Sequence, residues 1–207
     1  MLFTVAEFKT VVGIPTAVTA HDDYVLLLAK AITAAVDKHC RRTLASAAHT
    51  EILDGSGTDS VLVRNPPVAT SPAVVLYISG EQSWDAAHTV AASDYVIEQR
   101  TGRVRLKPTA VNPDLFPQDV ARFQAGIQNV RVDYTGGYTP AAMPEDLKMG
   151  AIEWAAASFN RRKAQGLSNL SIGGVSVSPL LVAMPASAKK LVGSYRMPFR
   201  TGMIGAP

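Results

Sequence analysis

The sequence predicts an α+β protein, a helical bundle interrupted by a β-hairpin-rich insert. The bundle is a long helix at 22–42, a helix at 144–163 and short terminal helices. Three observations carry this expectation. Apolar residues recur at helical spacing up to about residue 42 and again from residue 144. Between about His49 and Tyr134 that period is lost, and Gly, Pro and Asn punctuate short β-branched and aromatic runs. The 207 residues are 47% hydrophobic, which argues against global disorder and suffices for a real core. The layout expected is a single domain: N-terminal helices over 1–46, the β-rich insert over 47–136, C-terminal helices over 137–195 and an extended tail over 196–207.

Leu2, Val5, Phe8 and Val12 lie on one face of a short helix, which Gly13 and Pro15 end. Thr19 and Asp22 are the expected cap of the long helix. Its apolar face is Val25, Leu28, Ile32, Ala35 and Val36, widened by Tyr24, Leu27 and Ala31. A stripe that broad predicts burial on more than one side, by neighbouring helices or another subunit. Glu51–Leu53 and Val61–Arg64 flank Asp54-Gly55-Ser56-Gly57 and read as a hairpin, ended by Pro66-Pro67. Ala73–Ser79 reads as a strand, and Tyr95–Glu98 with Arg103–Leu106 as a second hairpin through Thr101-Gly102. Asn112–Ala125 holds two prolines and reads as loop, with room for one helical turn.

The most informative stretch is Val130–Gly166. Val130, Val132 and Tyr134 alternate with Arg131 and Asp133, the period of a strand with one buried face. Gly136-Gly137 stops that strand. Pro144 is placed at the first helical position, where the missing N–H costs nothing. Glu145 and Asp146 face the positive end of the helix dipole, and Arg161, Arg162 and Lys163 the negative end, with Gly166 as the stop. The expected core face is Leu147, Ala151, Trp154, Ala155, Ser158 and Phe159. A flexible loop or short hairpin around Gly173-Gly174 and a last helix over Pro185–Tyr195 follow.

The formal net charge is +3, unevenly spread. From Trp154 onward there is no Asp or Glu, but there are Arg161, Arg162, Lys163, Lys189, Lys190, Arg196 and Arg200. An acidic body with a basic end suits a partner with an acidic surface, protein or nucleic acid. Solvated basic helix ends are the plainer explanation for any one of them. No apolar run approaches the length needed to span a bilayer, and no secretory signal is expected at the N-terminus. One cysteine, Cys40, excludes an intrachain disulfide and fits a reducing interior. Without a secretion signal, Asn169-Leu170-Ser171 is read as a chance glycosylation match.

Catalytic signals are weak. There is no P-loop, dinucleotide fingerprint, zinc spacing or nucleophile elbow, and His21, His39, His49 and His88 form no i, i+4 pair. His39 and Cys40 are adjacent, so on a helix they point about 100° apart. Asp22-Asp23 and Glu145-Asp146 are paired carboxylates, but both stand where helix N-termini favour negative charge. The glycines at 55, 57, 173 and 174 lack the lysine and helix context of a phosphate cradle. Trp154 is expected in the core; Trp84, in a polar loop, either anchors an interface or folds over the sheet. No catalytic, metal or cofactor residue is expected. The candidate partner-binding residues are Arg161, Arg162, Lys163, Arg196, Phe199 and Arg200.

The order of the motifs is more telling than any one of them. HDDYVLLLAKAITAAVDKHCRRTL is followed by ILDGSGTDSVLVRNPPV, DYVIEQRTGRVRL, NVRVDYTGGYTPAAMPEDLKMGAIEWAAASFNRR and SIGGVSVS, then a basic end. This resembles the head-tail connector (adaptor) proteins of long-tailed bacteriophages and related proviruses over nearly the whole chain. Asp22, Asp23, Arg41, Arg42, Asp54, Gly55, Pro67, Val68, Gly102, Tyr134, Gly137, Tyr138, Pro144, Asp146 and Leu147 stand at the matching places. Met143 before the proline and the long loop at Val111–Ile127 depart from the pattern. The resemblance implies a non-enzymatic subunit of a ring, commonly dodecameric, beneath the portal in the virion neck, assembled in the bacterial cytoplasm. Such a ring extends the DNA channel, passes DNA without sequence recognition and docks the stopper or tail. The sequence is compatible with that: a flexible tail with Arg196, Phe199 and Arg200 is expected to order on the portal only after docking. The competing readings are a nucleic-acid-binding protein using the basic C-terminal segment, a hydrolase using a carboxylate pair, and a neighbouring stopper or tail-completion role.

Overall fold

The protein is described by a computed structural model covering residues 1–108, 121–161, 170–172, 175–177 and 183–198. It is mixed α+β, and the chain divides into two compact units. The first comprises Met1–Arg42 and Thr139–Met197, and the second is built on Thr43–Tyr138.

The first unit contains α1 (Val5–Val12), α2 (Asp22–Cys40), α3 (Glu145–Asn160) and α4 (Ala186–Gly193), which pack on one another. Helix α1 begins at Thr4, whose hydroxyl accepts from Glu7 N–H while the Glu7 carboxylate accepts from Thr4 N–H at 2.7 Å. This reciprocal cap satisfies donors the helix itself cannot. Gly13 ends α1 in the left-handed region at φ 76°. Phe8 stacks edge-on against Phe159 at 5.4 Å between ring centres, and Phe3 and Tyr24 join the cluster at 6.3 and 6.0 Å. Burying such rings contributes roughly 2–3 kcal/mol each.

Three expectations for these helices need correction. Thr19 does not cap α2 through its side chain. His21 is the cap residue, and Thr19 only accepts from Asp22 N–H through its carbonyl at 3.0 Å. The buried stripe of α2 is narrower than expected: Val25, Ala29, Ile32, Val36 and Cys40. Leu28 and Ala35 are half-buried, and Leu27 and Ala31 point outward, Leu27 at 65% exposure. The wide apolar pattern therefore overstates what a single chain covers. Pro144 precedes the first turn of α3 as its cap, with ψ 134°, and the helix ends at Asn160 rather than 163. Arg161 is its C-terminal cap residue. On α3, Trp154 and Ser158 are half-buried, while Gly150 and Ile152 join the core. Gly150 is required there by contact: a Cβ would stand 3.0 Å from Val192 Cγ2 and 3.1 Å from Leu191 Cβ of α4.

The second unit holds β1 (Ala47–Gly55), β2 (Ser60–Leu62), β3 (Val75–Ile78), β4 (Thr89–Val90), β5 (Tyr95–Glu98), β6 (Arg103–Leu106) and β7 (Gly126–Gly136). They form two antiparallel sheets, β1-β7-β3-β4 and β2-β6-β5. The inward residues of both share one core, including Leu53, Val63, Leu76, Val104, Leu106, Val130 and Val132. The β5–β6 hairpin forms with the expected bounds, and Gly102 makes its turn at φ 71°. The expected hairpin through Asp54–Gly57 does not form. Strand β1 pairs with β7, Ala47 opposite Gly136 through Leu53 opposite Val130, while β2 pairs with β6 in the other sheet. The glycine-rich link carries the chain between sheets instead of folding it back. Gly55 N–H donates to Asn129 Oδ1 at 2.7 Å, and Asp54 accepts from Gln128 N–H at 2.8 Å. Strand β7 is longer than expected, 11 residues, and lies centrally between β1 and β3. The first unit also holds an antiparallel pair, β8 (Leu170–Ile172) and β9 (Val175–Val177), with Ile172 opposite Val175. Gly173 and Gly174, where a flexible loop or short hairpin is expected, lie outside the described residues.

Candidate functional site

The residues that suggested chemistry are spoken for structurally. Asp22 pairs with Lys9, whose Nζ lies 2.5 Å away in a nearly buried position. Asp146 accepts from Leu147 N–H at 2.9 Å and from the Tyr195 hydroxyl at 2.5 Å. Glu145 meets Lys148 at 3.1 Å, and Lys148 also reaches Glu7 at 3.2 Å. Asp22, Glu145 and Asp146 therefore hold helices in place. Cys40 is fully buried and its thiol lies against the Val192 carbonyl at 3.6 Å. Burial pushes that thiol up to about 11, the reverse of what a nucleophile needs. Among the described residues, no group of three or more His, Cys, Asp or Glu could hold a metal ion, and no helix is long and apolar enough to cross a membrane.

Two surface arrangements remain. The first is a row on the outward face of the four-stranded sheet. Thr50 donates to Asp133 at 2.7 Å, and Asp133 takes two bonds from Arg131 at 2.7 and 3.0 Å. The Arg131 guanidinium lies 5.2 Å from the centre of the Tyr77 ring, and Tyr77 meets Trp84 edge-on at 6.5 Å. The pattern Val-Arg-Val-Asp-Tyr thus places a neutralised, ordered Arg–Asp pair outward while its valines build the core. Trp84 folds over the sheet, the second of its two expected roles.

The second arrangement is basic. The Met197 N–H donates to the Cys40 carbonyl at 3.0 Å, which brings Arg196 to the C-terminal end of α2. There it joins His39 and Arg41, together with Lys189 of α4. Partial burial, and then the positive charges of Arg196, Lys189 and Arg41, hold the His39 imidazole below its ordinary value. Of the expected partner-binding residues, the structure describes Arg161 and Arg196, both exposed. Arg162, Lys163, Phe199 and Arg200 lie outside the described residues. Sequence reasoning missed that Arg41, His39 and Lys189 join Arg196. The one available signal was the run His39-Cys40-Arg41-Arg42 at a helix end, which the dipole also explains.

The model of the head completion protein family matches residues 1–198. The chain belongs to that family. It is a family of structural proteins of the phage head rather than a class of enzyme, in agreement with the connector resemblance read from the sequence. No curated protein matches the chain. Among solved structures, the chain is similar in fold to one in the neck of an empty gene transfer agent particle computed with C6 symmetry. That match has 20% identity and a TM-score of 0.59, covering 98% of this chain and 93% of the other. A chain in the virion of a native gene transfer agent particle matches at 23% identity and TM-score 0.58, covering 98% and 93%. A third lies in the neck of a native particle computed with C12 symmetry, at 20% identity and TM-score 0.57, covering 96% and 91%.

Proposed function

We propose that this chain is a structural subunit of a phage-type virion neck. It forms a ring beneath the portal, extends the DNA channel and docks the stopper or tail. The observation that carries the reading is the end-to-end correspondence with the neck chain: nearly all of one matches nearly all of the other, with no large part left over on either side. Neck particles of C12 and C6 symmetry are the setting in which those relatives occur, and a dodecameric ring is the stoichiometry this chain would adopt. Ring closure needs two different, mutually complementary patches on each subunit. The outward Leu27 stripe of α2, which one chain leaves uncovered, supports a role in subunit contact. In this reading the four helices act as one bundle, and the partners are other copies, the portal and a stopper or tail-completion protein. The C-terminal segment Met197–Pro207, with Arg196 beside it, docks on the portal in this reading.

The test is a deletion of Met197–Pro207, assayed by co-sedimentation with assembled portal rings. Loss of co-sedimentation with an unchanged circular dichroism spectrum supports the docking role. Full co-sedimentation of the truncated chain refutes it.

A further inference from the structure

We propose that the basic surface formed by His39 and Arg41 at the end of α2, with Lys189 of α4 and Arg196 after it, binds the phosphate backbone of double-stranded DNA. The inference concerns the chain's own charge and stands apart from the neck reading. These residues come from three segments held in register. The Met197–Cys40 backbone bond at 3.0 Å and the Cys40 Sγ contact with the Val192 carbonyl at 3.6 Å fix the end of α4 against the end of α2.

A helix dipole accounts for cations on the last turn of α2 itself. It does not account for Lys189 and Arg196, which arrive from another part of the chain. The groups whose charge bears on His39 are Arg196, Lys189 and Arg41, all positive. Arg41 sits at φ 59°, in the left-handed region that favours glycine, with its N–H bonded to the Asp37 carbonyl. An arginine at a position where glycine is the easier choice puts a guanidinium there at a backbone cost.

The chemistry favours phosphate over an acidic protein. Protein docking needs buried apolar anchors. None of the large hydrophobic side chains exposed among the described residues lies in this cluster. Phosphate binding needs only grouped positive charge, best with arginine forks.

The test uses the full chain and a labelled short duplex of mixed sequence, followed by fluorescence anisotropy across a salt series. Arg41→Gly removes the charge while easing the backbone; circular dichroism and the melting temperature check that the variant keeps its fold. Arg196→Gln removes the second charge. Each change is expected to weaken binding severalfold, and together by about tenfold or more. The slope of log affinity against log salt should fall by roughly 1 for each contact removed. Scrambling the duplex sequence should leave affinity unchanged. The proposal is overturned if the double variant keeps the parental affinity and slope. It is equally overturned if the parent binds polyglutamate and not the duplex.

Discussion

Replacing Tyr134 by Phe removes one oxygen from the most connected polar cluster of the β unit. The Tyr134 hydroxyl accepts from Asn65 N–H and from Asn65 Nδ2, each at 3.1 Å, and donates to the Glu51 carboxylate. Burial, and then the Glu51 charge, hold the phenol well above its ordinary range, so it remains a donor throughout the working pH range. Glu51 keeps its bonds from Arg64 N–H and Asn65 Nδ2 at 2.9 and 3.0 Å in the variant. The Asn65 backbone N–H, on a residue only 6% exposed, loses its partner. An orphaned buried donor costs about 1–3 kcal/mol, and the lost bond to a carboxylate about 1.5–3 kcal/mol. The ring itself still packs on His49 at 5.4 Å. With part of this offset by the hydroxyl no longer being buried, the net expectation is about 2–4 kcal/mol. Urea unfolding followed by circular dichroism reads it as a lower midpoint at unchanged slope. Tyr95→Phe is the control: its hydroxyl makes one bond, to the Val74 carbonyl at 2.6 Å, and should cost about 1 kcal/mol. A Tyr134 variant within about 0.5 kcal/mol of the parent would refute the network argument.

Gly137→Ala should cost more than about 2 kcal/mol in the same assay, because φ is +96° and the new Cβ would stand 2.7 Å from the Ala45 carbonyl oxygen; a neutral effect would show that this turn relaxes freely. The folded chain holds the His39 proton less tightly than the ordinary value of 6.5 implies, so the unfolded chain takes up more protons just below that pH. Stability should therefore fall as pH drops through 6.5 and level off below the folded-state value. His39→Gln should flatten that part of the profile, and an NMR titration should place the His39 midpoint under 6.5. Cys40 should resist a thiol reagent at pH 8 in the folded chain and react once urea unfolds it, since burial raises its thiol to about 11.

Local patterns were legible in the sequence where one physical signal dominated. The alternation through Val130, Val132 and Tyr134 marked β7, and Tyr95–Glu98 with Arg103–Leu106 marked a hairpin because Gly102 makes the turn at once. Partner choice between distant strands was not legible. Asp54-Gly55-Ser56-Gly57 has hairpin composition, yet β1 finds its partner some 70–90 residues later in β7, as in the Glu51–Val132 pairing. Turn residues specify where a chain bends, and long-range packing decides what it then meets. How much of the α2 face this chain covers by itself was not legible either. Leu27 and Ala31 are apolar without being covered by this chain, so periodicity overstated intrachain burial. The basic surface was half visible. Arg196 stood out by charge, but Arg41 and His39 join it only through the Met197–Cys40 backbone bond, which has no sequence signature.

The most direct test of the neck assignment is cryo-electron microscopy of intact particles that carry this chain. The account predicts density for it in a ring between portal and tail, with twelve copies in a C12 arrangement like that of the native particle neck. Intact, tailed particles whose collar contains no copy of the chain would contradict it.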